Sequence, residues 1–215
     1  MSANGTLTAD FWFDPSCPYT WLTSRWLLEV AKVRPVTVRW RVMSLSILNE
    51  GRADDPEGDP EGYLRVPVRV CATVMERYGH QSLGRLYTAL GTRIHERGEW
   101  NWETVLAEAL DESELPREVG AVGSDSSVDD AVRASHDQGV RLLRGRTGTP
   151  VIGVSHPDEA GSGPRTAFFG PVLSRVATGE EAGRQWDAVL LLAGTPGFHQ
   201  LAGTPPEEPD FTAHH

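Results

Sequence analysis

The stretch FWFDPSCPYTWLTSRW, residues 11–26, changes its period in the middle. An apolar aromatic run stops at Asp14-Pro15 and a lone cysteine follows. From there the apolar residues Trp21, Leu22, Trp26, Leu28 and Val33 recur at helical spacing. Residues 7–13, LTADFWF, therefore read as a strand ended by Asp-Pro. Residues 17–33 read as a helix with Pro18 in its first turn, where a missing N–H costs nothing. Residues 36–42, VTVRWRV, alternate apolar and polar side chains and are rich in β-branched residues, so a second strand follows. Strand, helix and strand in this order make a βαβ unit, with parallel strands and a right-handed crossover expected.

Beyond this unit the composition shifts. Residues 49–62, NEGRADDPEGDPEG, are acidic and dense in Gly and Pro, so a loop is predicted. Residues 64–143 carry helical periods throughout. Val70, Cys71, Val74, Met75 and Tyr78 form one apolar stripe, and Leu83, Leu86, Tyr87, Leu90 and Ile94 form another. Trp102, Val105, Leu106, Ala109 and Leu110 follow behind Asn101 as a cap, and Val128, Val132, Gly139, Val140 and Leu143 mark a last helix. Strand signals return at 149–155, TPVIGVS, and 166–170, TAFFG, joined by a Gly/Pro-rich loop and read as an antiparallel pair. A final helix is predicted over 180–194, with Trp186, Val189, Leu190 and Ala193 on its apolar face. The tail TPPEEPDFTAHH, residues 204–215, is predicted to be disordered, and no internal repeat is visible.

Composition narrows the partners. The chain has 215 residues with 39% hydrophobic and 23% charged, which suits a folded α/β protein. Its formal net charge of −10 argues against nucleic acid or an anionic membrane surface, since both need a basic face. Lys32 is the single lysine, a bias of genomic composition rather than of function. The opening MSANGTLTAD has neither a basic segment nor an apolar run, so a cytoplasmic location is expected. The two cysteines, Cys17 and Cys71, are too few for a cysteine metal site, and His214-His215 is too short for a metal-binding tract.

A βαβ unit, a helical block and a ββα unit, with a cysteine opening the first helix, together resemble the thioredoxin-fold oxidoreductases of the DsbA family. Closer still is the mycothiol-dependent nitroreductase group. The likeness rests on ADFWFDPSCPYTWLTSRWLLEVAKVR, VMSLSILNE, TRIH, GTPVI and FFGPVLSRVATGEEAGRQWD, and spans roughly residues 9–201. The resemblance implies an α/β thioredoxin-like fold with an all-helical insertion domain: residues 5–60 and 147–203 form the two parts of the former, and 61–146 the latter. It implies Cys17 as nucleophile and a cis-proline at Pro150, with Thr149 pairing with substrate. It also brings Pro18, Tyr19, Trp21, Asn49 and His95 into the substrate site. The cosubstrate it implies is a low-molecular-weight thiol, mycothiol, with no tightly bound cofactor and no metal. The partners are that thiol and a small electrophile or mixed disulfide, with a redoxin admitted; the oligomeric state is left open.

The residues add their own chemistry. Only a thiolate attacks, and a helix N-terminus offers unpaired N–H groups and partial positive charge, so Cys17 is expected to titrate below a free cysteine. Cys71, on an apolar stripe, is expected to be an inert core residue. Thr20 stands where dithiol members of the family carry a second cysteine, and Tyr19 where the closest group tends to have tryptophan. No disulfide can join residues 17 and 20, which leaves a monothiol cycle resolved by an external thiol. The Thr20 hydroxyl can donate to the thiolate or serve merely as a first-turn polar residue. His95 can be a site residue or a structural one, and Trp12, Tyr19, Trp21 and Trp26 can wall a pocket or fill the core. Two rival readings stay open: a thiol transferase or isomerase like the kappa-class glutathione enzymes, and a binding module without redox turnover.

Overall fold

The computed structural model describes residues 5–54, 56, 58, 59, 61–143, 148–156, 164 and 166–212. His214-His215 and much of the 156–165 connection lie outside them.

The predicted βαβ unit is present with the expected bounds: β1 (Leu7–Phe13), α1 (Pro18–Val33) and β2 (Val36–Val42). β1 and β2 run parallel from Leu7↔Val36 to Phe13↔Val42. A one-turn helix α2 (Leu45–Leu48) follows, then α3 (Arg65–Gly91), α4 (Trp102–Glu112) and α5 (Asp129–Leu143), before β3 (Val151–Ser155), β4 (Thr166–Phe169) and α6 (Gly179–Ala193). β3 lies antiparallel to β1 on one side and to β4 on the other, giving the order β2-β1-β3-β4. β1 therefore sits inside the sheet, and its five residues from Ala9 to Phe13 are buried. The Asp10 carboxylate is buried with them and is held by Arg39 and Arg41 of β2.

The two apolar stripes in the helical block have a physical origin in Gly79. Its φ of 79° and ψ of −179° break α3 into two segments, a conformation glycine adopts without steric cost. A π-helical turn, Thr92–Glu96, extends the second segment and carries His95. Asn101 caps α4 as predicted, its side-chain oxygen accepting from Thr104 N at 3.2 Å. Among the described residues, one hydrophobic cluster runs through β1, α1, β2, α3, α4 and α6. The helices between β2 and β3 thus share their core with the sheet.

Close approaches fix the interface next to the cysteine. A Cβ at Gly91 would lie 2.2 Å from the Trp21 ring, so only glycine lets α3 pack on that indole. The Arg25 guanidinium lies 4.0 Å from the centre of the same ring, a cation–π contact. Phe13 stacks on Tyr87 at 3.7 Å, and Trp21 meets Tyr87 edge-on at 5.5 Å. This aromatic floor joins β1, α1 and α3 directly beneath the strand-to-helix junction.

Candidate active site

Cys17 is the N-cap of α1, with φ −82° and ψ 115°, and Pro18 occupies the first helical position. The turn before it is held by Asp14, which is buried. Its carbonyl accepts from Cys17 N at 3.2 Å, while its carboxylate accepts from Ser16 N at 2.8 Å and Leu45 N at 2.7 Å. A carboxylate that accepts two backbone N–H groups is a rigid brace, and sequence reading had no signal for it beyond the Asp-Pro pair.

Thr20 reaches across the site. Its Oγ1 lies 3.0 Å from Thr149 Oγ1, joining residues 129 positions apart, and its hydroxyl favours the Cys17 thiolate. Both threonines are buried. A hydroxyl has one proton, so a Thr20 that donates to a Cys17 thiolate must accept from Thr149. The Thr149-Pro150 peptide bond is cis, and Pro150 is buried at the start of β3.

The titration of Cys17 departs from the sequence expectation. Burial is the largest influence and pushes the thiol above its ordinary value. The Thr20 hydroxyl, the Thr20 N–H and the Tyr19 N–H pull it down, while the Asp14 carboxylate adds to the rise. The helix N-terminus does supply donors, but the thiol is only 8% exposed, and desolvation outweighs them. Cys71 is fully buried in the core of α3, and burial raises its thiol far beyond neutral pH.

His95 and Tyr19 both border the cysteine. His95 Nε2 donates to Pro15 O at 2.9 Å, two residues before Cys17, which sets the neutral tautomer. Its ring lies near-parallel to Trp21 at 6.0 Å and to Phe211 at 5.9 Å. Tyr19, two residues after Cys17, is half-buried and donates its hydroxyl to Glu207 O at 3.3 Å. Pro18 is likewise half-buried at the head of the helix.

Other expected site residues are placed elsewhere. Trp21 is 1% exposed and its ring lies in the core, near-parallel to His95, while its backbone N–H donates to Cys17 O. Trp26 packs against Trp186, and Trp12 sits with Met43 and Val151, its indole N–H donating to Ser135 O. Of the four aromatics near the junction, Tyr19 alone stays at the surface, because the others fall on the buried faces of β1 and α1. Asn49 ends α2 and lines a polar concavity of about 550 Å³ with Ser46, Arg52, Arg65 and Arg69, a set that includes none of Cys17, Thr20 or Thr149.

The C-terminal tail supplies residues that sequence reading missed. Residues 204–212 form neither helix nor strand. Yet Ser174 Oγ donates to Glu207 O at 2.9 Å, Asp210 N donates to Ser174 O at 2.7 Å, and Phe211 packs on His95. Glu207, Asp210 and Phe211 of the tail expected from composition to be disordered thus make contacts around the site. Its one available signal was Phe211, a single aromatic in a stretch of proline and acid.

Burial lowers the His95 pKa to about 4, although its bond to Pro15 O opposes this. The imidazole therefore stays neutral in the folded protein while the unfolded chain, with an ordinary value near 6.5, takes up a proton. A folded pKa below the unfolded one means that the unfolded state binds more protons, so stability falls as pH drops from about 6.5 towards about 4. The expected loss at His95 is on the order of 2 kcal/mol. His95→Gln, which cannot titrate, should show a flatter decline in urea-unfolding free energy between pH 7 and 4.5. Parallel curves for the two proteins would show that His95 is not the buried neutral group.

The chain is similar to several known proteins. A family model described as mycothiol-dependent nitroreductase Rv2466c matches residues 16–202. The uncharacterized protein Rv2286c of Mycobacterium tuberculosis is 30% identical over 198 residues, which is 90% of this chain and 80% of that protein. The crystal structure of a probable DsbA oxidoreductase, SCO1869, from Streptomyces coelicolor superposes with a TM-score of 0.55 at 18% identity, covering 92% of this chain and all of that one. The cytosolic disulfide reductase DsbM from Pseudomonas aeruginosa gives a TM-score of 0.55 at 15% identity, covering 86% of this chain and 100% of that chain. At these identities the structures share the fold, which is the thioredoxin-like fold of DsbA proteins.

Proposed function

The chain belongs to the mycothiol-dependent nitroreductase Rv2466c-like family, and from that premise we propose that it is a thiol oxidoreductase working through one cysteine, Cys17. The observation that carries this reading is the Thr20 hydroxyl, bonded to Thr149 and favouring the Cys17 thiolate, set beside the cis Thr149-Pro150 bond. A hydroxyl at residue 20 can stabilise a thiolate by donating a hydrogen bond but cannot form a disulfide with it. Cys71 offers no substitute, because it is sealed in the helical core.

The cycle has two displacements. The Cys17 thiolate attacks a sulfur of a mixed disulfide, forming a protein–thiol disulfide and releasing the substrate's other sulfur as thiolate. A second low-molecular-weight thiol, mycothiol by family, then attacks the adduct as thiolate. It leaves as part of a new small disulfide and regenerates Cys17. In net, one external thiol is consumed, one substrate thiol is released, and the disulfide bond passes from the substrate to the new small disulfide. The Thr20 hydroxyl stabilises Cys17 as attacking and as leaving group, and Thr149 holds Thr20 in the donating orientation. Pro18, Tyr19 and His95 border the substrate, with no metal or tightly bound cofactor taking part.

Intact-mass analysis after incubation with glutathione disulfide tests this. One glutathione should add at Cys17, and its release should be first order in added thiol and unchanged in Cys71→Ala. Release without added thiol, or its loss in Cys71→Ala, would make Cys71 the resolving residue and defeat the monothiol cycle.

A further inference from the structure

His136 interrupts the apolar stripe of α5. It falls on the face of Val132 and Gly139, is 4% exposed, and takes no part in the cycle above. Close packing seats this face on the sheet: a Cβ at Gly139 would lie 2.9 Å from the Trp12 ring. Two consecutive residues then fasten the carboxyl ends of β1 and β2. Ser135 Oγ donates to Val42 O at 2.7 Å, Ser135 O accepts from Trp12 Nε1 at 2.9 Å, and His136 Nδ1 accepts from Ser44 N at 3.3 Å. Ser44 is the N-cap of α2, and the next N–H, that of Leu45, donates to the Asp14 carboxylate. A continuous path thus leads from His136 through Ser44 and Leu45 to Asp14, whose carbonyl accepts from Cys17 N. We propose that His136 is a positioning residue for the thiol: its Nδ1 fixes Ser44, which holds the Leu45 N–H on Asp14 and so sets the charge and position of the turn that presents Cys17. The proposal rests on the reading of Cys17 as the reacting thiol.

The path differs from ordinary core packing in what it does to charge. Asp14 is a buried carboxylate near the thiol, and its charge opposes formation of the thiolate. N–H groups that donate to a carboxylate draw its charge towards themselves and weaken its field at the sulfur. Ser16 N comes from the turn itself, whereas Leu45 N belongs to a separate segment and has to be held in place. The first N–H groups of a helix have no acceptor within it. In α2 Asp14 serves Leu45 and His136 serves Ser44, which is 1% exposed and therefore closed to water. Nδ1 can accept only in a neutral imidazole whose proton is on Nε2. Burial favours that state by lowering the His136 pKa from its ordinary value, with Asp137 opposing and Arg133 assisting from α5. Around the Ser44 end of the path stand Asp14 from the β1–α1 turn, Arg65 and Arg69 of α3, and Asp129 and Arg133 of α5.

Alkylation of Cys17 by iodoacetamide, followed against pH by intact mass on the full-length chain, tests this. His136→Leu removes the acceptor and keeps an apolar filling of the space, while His136→Asn puts a carbonyl oxygen close to the place of Nδ1. The leucine variant should move the thiol midpoint upward and slow alkylation at neutral pH about fivefold, because the rate follows the thiolate fraction. The asparagine variant should stay within about twofold of the parent. A histidine that only fills the core would lower thermal stability in both variants and leave the midpoint where it is. An unchanged midpoint in His136→Leu, or an equal shift in both variants, overturns the proposal. Circular dichroism checks folding. If His136→Leu does not fold, His136→Gln, whose amide reaches towards the place of Nε2 instead, replaces it with the same upward shift expected. Alkylation does not depend on turnover, so failure of the redox cycle at Cys17 and failure of the His136 path are read separately.

Discussion

Cys17→Ser should lose disulfide-reductase turnover by roughly 10³-fold or more while the fold persists, because removal of a nucleophile leaves only binding and positioning to accelerate the reaction. The oxygen of serine is nearly isosteric but is not ionised near neutral pH. Thr20 and the backbone N–H groups of Tyr19 and Thr20 are donors to it, not acceptors. The variant should also show no glutathione adduct by intact mass, and its thermal unfolding should stay close to the parent's, since position 17 is a turn residue above the core. The measurement is initial rate with a model disulfide at saturating thiol. A residual rate within tenfold of the parent would mean that the chain only activates a bound external thiol, and the transferase reading would replace the one proposed here.

Thr20→Cys should produce the opposite kind of change, a gain. The Thr20 side chain already lies within hydrogen-bond reach of the Cys17 sulfur from the first turn of α1. A sulfur at that position faces the thiolate with little movement. Oxidation should close a 17–20 disulfide, read as loss of two hydrogens in mass and loss of both thiols to alkylation. Resolution of a Cys17 adduct then becomes intramolecular. At millimolar external thiol its release should accelerate on the order of 10³-fold, modest beside the effective molarities that well-oriented intramolecular reactions reach. Thr149 loses its hydroxyl partner in the exchange, and that costs about 1 kcal/mol of stability. If oxidised Thr20→Cys shows no bridge, the geometry assigned to the 17–20 turn is wrong.

The local elements were legible because they depend on near neighbours. LTADFWF and VTVRWRV carry the period of a strand, and the residues after Pro18 carry that of a helix. The structure ends these elements where the pattern changes. The position of Cys17 at the head of α1 follows from that change alone. The paired stripes in 70–94 were legible for the same reason, although the cause, the left-handed Gly79, shows only in the backbone.

What the sequence by itself determined is therefore the order of strands and helices, the junction that presents Cys17 and the absence of a second thiol beside it. The tertiary structure decided which way that junction works. It brought Thr149 to Thr20 across 129 residues, turned Trp21 inward against Gly91, set Asn49 in a separate concavity, and laid Phe211 on His95. It also reversed the expected titration of Cys17, because the donors at a helix N-terminus belong to the local chain while desolvation is imposed by everything packed around it. Periodicity records which side of an element is apolar. Which partner covers that side, and how much water is left at a thiol, is a property of distant segments meeting, and no window of the sequence contains it.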